Sequence, residues 1–373
     1  MLYGCRNQIT PQKNHPHSNF MKITSPDDSS LADLCEQLHR MSPDAQFLWP
    51  SEQLKLCGQY GVYEWFVPRE HGGQAWTDEQ IVAGYLKLSA SCLTTTFVIT
   101  QYMGACRRIA ASETVGIQDQ LLPELLTGQK FSTVGISHLT TSGRHLSSPV
   151  LTATEQSDGF RLNGFCPWVT GALAADSVVV GAATLDDRQI LAVVPTDQPG
   201  VIAREPSRLV GLTGSQTGRL DLDNVFIPRD LLVSGPTENI MQGGTGAKTG
   251  GLQTSTLAVG LATAAVEFLR AEAAKRSDLV EPMDRLAEEI NATRDELVRT
   301  AKGIPECSLQ DLRVRSNSLA LRATQAALTA AKGRGYVEGH PAGRWCQEAL
   351  FFLVWSCPQP VLNANLCEFA GIH

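Results

Sequence analysis

The sequence predicts an α+β fold with an N-terminal α-helical domain, a central antiparallel β domain and a C-terminal four-helix bundle. Two changes of pattern along the 373 residues predict this order. Apolar residues first recur at three- and four-residue spacing, then form short runs between turn residues, and finally return to helical spacing. With 43% hydrophobic and 18% charged residues, the chain has the composition of a protein that buries a large core. We predict domains at 31–130, 131–235 and 236–373, after a flexible N-terminal extension at 1–30.

Helical spacing of apolar residues marks three segments of the N-terminal domain, at 31–38, 81–88 and 121–125. Between the first two lies 61–73, which reads GVYEWFVPREHGG. Its proline and its paired glycines predict a loop. The next helix is expected to begin after Thr77, because a hydroxyl residue followed three positions later by glutamine is typical of a capped helix start.

Six short runs in the central domain predict strands, because they are apolar or alternating and turn residues separate them. They lie at 150–154, 160–162, 177–183, 189–194, 219–222 and 225–227. A glycine-rich linker is expected at 234–251. Four segments with helical spacing close the chain, at 252–276, 282–302, 309–331 and 344–355. Their succession predicts an up-and-down bundle.

Charge and composition argue against several classes of partner. The chain has 31 Lys and Arg against 38 Asp and Glu, a net charge of −7, and no basic cluster that would bind nucleic acid. No run approaches the roughly 20 uninterrupted apolar residues that span a membrane. The first 20 residues lack the pattern of a secretory signal. The ten cysteines form no C-x-x-C pair, so we expect reduced thiols in a cytoplasmic protein and no metal site.

Common catalytic signatures are absent from the sequence. It contains no G-x-S-x-G, no H-E-x-x-H, no G-x-x-x-x-G-K-[ST] and no G-x-G-x-x-G after a predicted strand. These motifs mark nucleophilic hydrolases, zinc enzymes and nucleotide-binding loops. We therefore expect any chemistry to depend on a bound cofactor.

Four segments, in matching order and spacing, resemble motifs of the acyl-CoA dehydrogenase superfamily. Segment 61–73 is similar to its "G…vP…yGG" stretch, and 162–176 is similar to its "lnG-x-K-x-W-I-T…AD" strand pair. Segments 210–217 and 222–228 resemble the hairpin that closes its β domain. The resemblance runs from about residue 31 to 362. It implies a barrel-like central domain, a flavin between that domain and the bundle, and a homodimer or homotetramer.

The resemblance also implies which residues contact the flavin ring. Segment 135–140 is similar to the family's "a-l-T-E-P" stretch, which puts Ser137 at the flavin pyrimidine. Trp168 and Thr170 match residues beside the isoalloxazine ring, with Thr170 near N5. Hydrogen-bond donors at such positions stabilise negative charge on a reduced flavin. The alternative interpretation is that Trp168 is a core aromatic and Thr170 an ordinary strand residue.

For the dinucleotide half of FAD the match is partial. Arg276 is kept, but Ala287 stands where the family has glutamine. Gly333 and Gly335 match two of the three glycines in a family loop that comes from a neighbouring subunit and approaches a phosphate. They could equally end the third helix of the bundle. FAD is the implied cofactor, with FMN left open.

The carboxylate that the family uses as a base is missing from both of its known positions. Oxidation of an acyl-CoA removes a proton α to the thioester carbonyl, which requires a base at that carbon. Aligned without gaps from Arg344, Ser356 stands where the family has glutamate, and 239–266 contains no Asp or Glu. We leave the catalytic residue unassigned and expect Ser356 to be a polar pocket residue. His138 replaces the glutamate of "T-E-P" and is expected either in the pocket beside the flavin or as a solvated loop histidine.

Three functions remain open at this stage. The first is a flavin-dependent oxidoreductase acting on the CH–CH group of an acyl-CoA, with an electron-transfer flavoprotein as acceptor. The second is a monooxygenase of the same superfamily that uses reduced flavin, supplied by a flavin reductase, and needs no carboxylate. The third is a catalytically degenerate binding subunit.

Overall fold

A computed structural model describes residues 21–140, 149–242 and 252–372 of the chain. The described part contains helices at both ends and strands between them, which confirms the predicted α–β–α order. Two clusters of buried apolar side chains stabilise it. One extends through both helical regions, and the other lies within the β domain. The two helical regions therefore share a single core.

Among the described residues, the N-terminal domain contains five α-helices, α1 (Ser29–Met41), α2 (Ser51–Gln59), α3 (Asp78–Ser91), α4 (Leu93–Ala110) and α5 (Ile117–Leu126). Helix α3 begins as the sequence predicts. The Thr77 hydroxyl accepts a hydrogen bond from Gln80 N at 3.4 Å, and Thr77 N donates to Gln80 Oε1 at 2.9 Å. Helix α4 is almost entirely buried and packs under the first strand of the sheet.

The ordered N-terminal domain begins earlier than residue 31. The first 20 residues of the predicted extension lie outside the described part. Ile23 is fully buried, and its backbone N–H donates to Tyr60 O at 3.0 Å. Asp28 caps α1 by accepting from Ser30 N at 3.0 Å. The prediction of a flexible segment up to residue 30 therefore fails for residues 23–30, because an apolar anchor and a helix cap fix them.

The central domain is one mixed sheet rather than a purely antiparallel one. Its order is β6-β7-β3-β2-β4-β5-β8, with β1 also paired to β4. Strands β1 and β2 both run parallel to β4, which the long connections between them allow. The strands are β1 (Ser132–Gly135), β2 (Leu151–Glu155), β3 (Gly159–Val169), β4 (Ser177–Thr184), β5 (Gln189–Pro195), β6 (Val201–Ala203), β7 (Gly218–Pro228) and β8 (Leu232–Thr237).

In the part that the structure describes, the C-terminal domain contains the four predicted helices and a fifth that was not predicted. They are α6 (Leu252–Ala273), α7 (Val280–Ala301), α8 (Leu309–Gly335), α9 (Pro341–Leu350) and α10 (Gln359–Ala370). Helix α6 packs against α7, α8 and also α3 of the N-terminal domain. Gly260 makes the approach to α3 possible, because a Cβ there would lie 1.9 Å from Ser89 Oγ.

Within the described residues, α6 is the one helix long and apolar enough to cross a membrane by length and composition. Two thirds of its apolar window, 67%, is buried inside the protein. Its apolar character is accounted for by its place at the centre of the shared helical core.

Candidate functional site

A cavity of about 570 Å³ lies where the three domains meet. Its wall is built from one face of α4, the segment after β1, the end of β3 and the loop before β7. The start of α6 and the turn after α9 complete the wall. Sites formed between domains from many separate segments are common places for small-molecule binding.

Four residues singled out from the sequence line this cavity, namely Ser137, Trp168, Thr170 and Ser356. The Ser137 hydroxyl is buried and has no hydrogen-bond partner. Trp168 is 49% exposed and stands at the mouth of the cavity. A buried hydroxyl without a partner is uncommon in folded proteins, so Ser137 has hydrogen-bonding capacity available for a ligand.

A chain of hydroxyl groups fixes Thr170 at the end of β3. The Oγ1 atoms of Thr170 and Thr217 are 3.1 Å apart, and Thr217 Oγ1 is 2.9 Å from Ser215 Oγ. Ser215 belongs to a short 3₁₀ turn, Thr213–Ser215, whose carbonyl at Ser215 accepts from Gly171 N at 3.0 Å. The side chain of Thr170 is therefore held in place by its neighbours.

His138 does not line the cavity. Its ring is 8% exposed and its Nε2 donates to the carbonyl oxygen of Gly181 on β4, at 2.6 Å. Burial lowers the pKa of His138, and the bond to Gly181 opposes that effect only in part. Ser137 and His138 are adjacent in a 3₁₀ turn, so their side chains point in different directions. Both sequence-based placements of His138, in the pocket and on a solvated loop, are thereby corrected.

The residues expected at the dinucleotide half lie together, but none of them lines this cavity. Arg276 donates from Nη1 to Ala330 O at 2.9 Å, which places it beside the end of α8 where Gly333 and Gly335 lie. A Cβ at Gly335 would come within 2.6 Å of Ala331 Cβ, so packing requires a glycine there. A Cβ at Gly333 would meet nothing within 4 Å. Packing therefore accounts for Gly335 and leaves Gly333 without a structural reason.

Sequence reasoning missed the polar residues that α4 contributes to the wall, above all Arg108. This guanidinium is 5% exposed, and its Nη1 donates to Gly104 O at 2.8 Å. Burial lowers the pKa of Arg108 to about 10, which still leaves it charged near neutral pH. The signal available in the sequence was the spacing of Phe97, Gln101, Gly104 and Arg108, which places them on one helix face.

Arg108 is the one charged side chain among the described residues that line the cavity. Segments 1–20, 141–148 and 243–251 contain no Asp or Glu in the sequence. No side-chain carboxylate of this chain therefore lines the cavity. Among the described residues, no group of three His, Cys, Asp or Glu side chains could hold a metal ion.

The turn after α9, which brings Trp355 and Ser356 to the cavity, is held from behind by α8. Arg313, 2% exposed, donates from Nη2 to the carbonyl oxygens of Phe352 at 3.1 Å and Trp355 at 2.9 Å. Asn317 donates from Nδ2 to the same Phe352 oxygen at 3.1 Å. Ser356 has φ of +45°, in the left-handed region, so the turn needs such support.

Replacing Arg313 with methionine is expected to lower the free energy of unfolding by about 2 kcal/mol, because the Trp355 carbonyl oxygen would lose this donor and the Phe352 oxygen would keep only Asn317. Urea denaturation measures this difference. Arg315→Met is the matched control, since Arg315 is exposed on the same helix, and its effect should stay within about 0.5 kcal/mol. An unchanged midpoint for Arg313→Met would contradict the assigned role.

No model of a known protein family matches this sequence. The chain is similar to a probable acyl-CoA dehydrogenase of Bacillus subtilis, YngJ, with 26% identity over 242 residues. That match covers 63% of this chain and 63% of the Bacillus protein. The chain thus matches less than two thirds of the length of this curated relative.

Solved structures match over nearly the whole chain. Butyryl-CoA dehydrogenase from Megasphaera elsdenii is 16% identical, with a TM-score of 0.77 over 92% of this chain and 97% of that one. Glutaryl-CoA dehydrogenase from Mycobacterium smegmatis, solved with FADH2, is 18% identical, with a TM-score of 0.77 over 93% of this chain and 96% of that one. The domain order and these matches define a protein with the acyl-CoA dehydrogenase fold. The sequence match agrees with this fold, because the relative it finds is described as a probable acyl-CoA dehydrogenase.

Proposed function

We propose that this protein is a flavin-dependent oxidoreductase whose flavin ring occupies the cavity against Ser137, Trp168 and Thr170. The observation that carries the proposal is the buried Ser137 hydroxyl, which lacks a partner at the cavity wall. A flavin pyrimidine offers polar atoms that such a hydroxyl can bind. The similarity to acyl-CoA dehydrogenases, one of them solved with FADH2, supports the same choice.

The chain's own residues fit the requirements of a flavin. A bound flavin would supply hydride or electron transfer, and the protein's task is to bind it, orient it and tune its charge. Ser137 would bind the ring, and Thr170, held by Thr217, would present a fixed hydroxyl. The positive charge of Arg108 in the same cavity favours a reduced, negatively charged form.

We propose FAD rather than FMN, with Arg276, Gly333 and Gly335 beside its phosphates. The Arg276 side chain is 27% exposed, and the open space at Gly333 gives a ligand access to the backbone. Comparing uptake of FAD with uptake of FMN tests this choice. If FMN binds as tightly as FAD, the dinucleotide half of FAD has no binding site beside Arg276, Gly333 and Gly335.

The reaction on an acyl-CoA is the nominal activity, but the cavity offers no side-chain carboxylate for removal of the α proton. This observation favours a second candidate, a monooxygenase that uses reduced flavin and oxygen. A flavin reductase would be its partner, whereas an electron-transfer flavoprotein would serve the dehydrogenase. Anaerobic loss of the oxidised-flavin colour on adding butyryl-CoA would support the dehydrogenase. Oxygen consumption that depends on both reduced flavin and an added substrate would support the monooxygenase.

Flavin binding is the first test, measured by the visible absorption of the purified protein after adding FAD. Ser137→Ala is expected to weaken flavin binding about 3- to 10-fold, the effect of losing one hydrogen bond. Ser157→Ala, in the exposed turn between β2 and β3, is the matched control and should bind as the original protein does. A protein that takes up neither FAD nor FMN would refute the proposal and would fit a binding subunit.

A further inference from the structure

Three aromatic rings form one end of the cavity wall. Phe351 and Trp355 are stacked, with centroids 5.1 Å apart and planes at 16°. Phe97 meets both edge-on, at 4.8 Å and 70° from Phe351 and at 5.0 Å and 83° from Trp355. All three line the cavity. We call these residues the aromatic wall.

The aromatic wall is separated from the part of the cavity assigned to the flavin ring. Gly104 of α4 packs against Val134 of β1, the strand that leads to Ser137. Phe97 precedes Gly104 by seven residues, which is about 10 Å along a helix axis. The aromatic wall is therefore available to a second molecule, the substrate.

Charge limits what that molecule can be. Apart from Arg108, the polar side chains that line the cavity are neutral amides and hydroxyls, among them Gln101, Thr100 and Ser356. Arg108 supplies positive charge, and no side-chain carboxylate is present to balance a cation. Transfer of a cation into such a site is costly, because its charge would be desolvated without a partner.

We propose that the cavity takes an aromatic substrate, neutral or anionic, whose ring packs against the aromatic wall formed by Phe97, Phe351 and Trp355. The proposal rests on the proposed function for the place of the flavin. Aromatic rings attract one another through edge and face contacts beyond the effect of buried area. An aromatic ligand should therefore bind about 3- to 10-fold more tightly than a saturated ring of the same size.

Three matched ligands test this on the wild-type protein with FAD added, by ligand-observed NMR titration. They are 3-phenylpropionate, 3-cyclohexylpropionate and 3-phenylpropylamine. The first two have the same charge and carbon count and differ in aromaticity, and the third replaces the anion by a cation. We expect 3-phenylpropionate to bind most tightly and the amine most weakly. Equal or tighter binding of 3-cyclohexylpropionate, or tightest binding of the amine, would overturn the inference.

A variant ties the ranking to the aromatic wall. Trp355→Leu is expected to bring the two acids within about 2-fold of each other, mainly by weakening 3-phenylpropionate. Phe226→Leu is the control, because Phe226 lies on β7 beside Arg161 and outside the cavity, and it should keep the full preference. If Trp355→Leu folds but keeps the preference, the assignment to the aromatic wall is overturned. If it does not fold, the same comparison is made with Phe97→Leu.

The flavin absorbance of the same samples separates the two proposals. Uptake of FAD with loss of the aromatic preference would overturn this inference and leave the flavin assignment standing. An aromatic preference without any flavin uptake would refute the flavin assignment, while the ligand ranking would still support an aromatic-binding cavity.

Discussion

Replacing Gly214 with alanine is expected to lower the free energy of unfolding by about 3 kcal/mol. A Cβ at this position would lie 2.0 Å from Ala45 O and 2.6 Å from Leu48 O. Both are backbone atoms, so no side-chain rotation can relieve the overlap. One segment must move away from the other, and the packing between the N-terminal domain and the β domain is lost there.

Gly214→Ala should also disturb the position of Thr170 at the cavity. Gly214 lies in the 3₁₀ turn that carries Ser215, and Ser215 holds Thr217 against Thr170. We expect weaker flavin binding as well as lower stability, measured by urea denaturation and by flavin absorbance. Gly333→Ala serves as the stability control, because a Cβ there meets nothing within 4 Å. Equal urea midpoints for Gly214→Ala and Gly333→Ala would disprove the close approach.

The order of domains could be predicted from periodicity because long helices and the longer strands repeat a local pattern. Strands β1, β6 and β8 were not predicted, and two of them have only three or four residues. These segments are strands because they pair with strands that are distant in the sequence, as β1 does with β4. A local pattern of residues cannot predict such pairing. The same holds for the parallel direction of β1 and β2, which depends on tertiary connections.

The candidate site was predicted in part. Segment order led to Ser137, Trp168, Thr170 and Ser356, and the structure brings these four to one cavity. The order of segments in the sequence does not reveal the direction in which a side chain of a turn points. The predicted positions of His138 were therefore wrong. The burial of Arg108 could not be predicted from the sequence either, because arginine is usually exposed and its burial depends on tertiary partners.

A buried carboxylate on α9 gives the protein a pH-dependent stability. Glu348 is 4% exposed, and its Oε1 lies 3.7 Å from Nε of Arg344. Burial raises the pKa of Glu348 from the ordinary value of 4.5 to about 7, and Arg344 opposes the rise only in part. The folded state therefore favours the protonated carboxyl. Unfolding releases that proton above pH 4.5, so stability is full below this pH and falls as the pH rises towards 7.

The free energy of unfolding should lose about 3 kcal/mol from Glu348 between about pH 4.5 and 8. Urea denaturation across this range, compared with Glu348→Gln, isolates the effect because glutamine does not titrate. The variant should show a flatter profile, and Glu338→Gln, at an exposed position before α9, should keep the original slope. The slope is the decisive quantity, since Glu348→Gln also removes the carboxylate that pairs with Arg344. Parallel profiles for the original protein and Glu348→Gln would show that Arg344 compensates the burial and that Glu348 is ionised throughout.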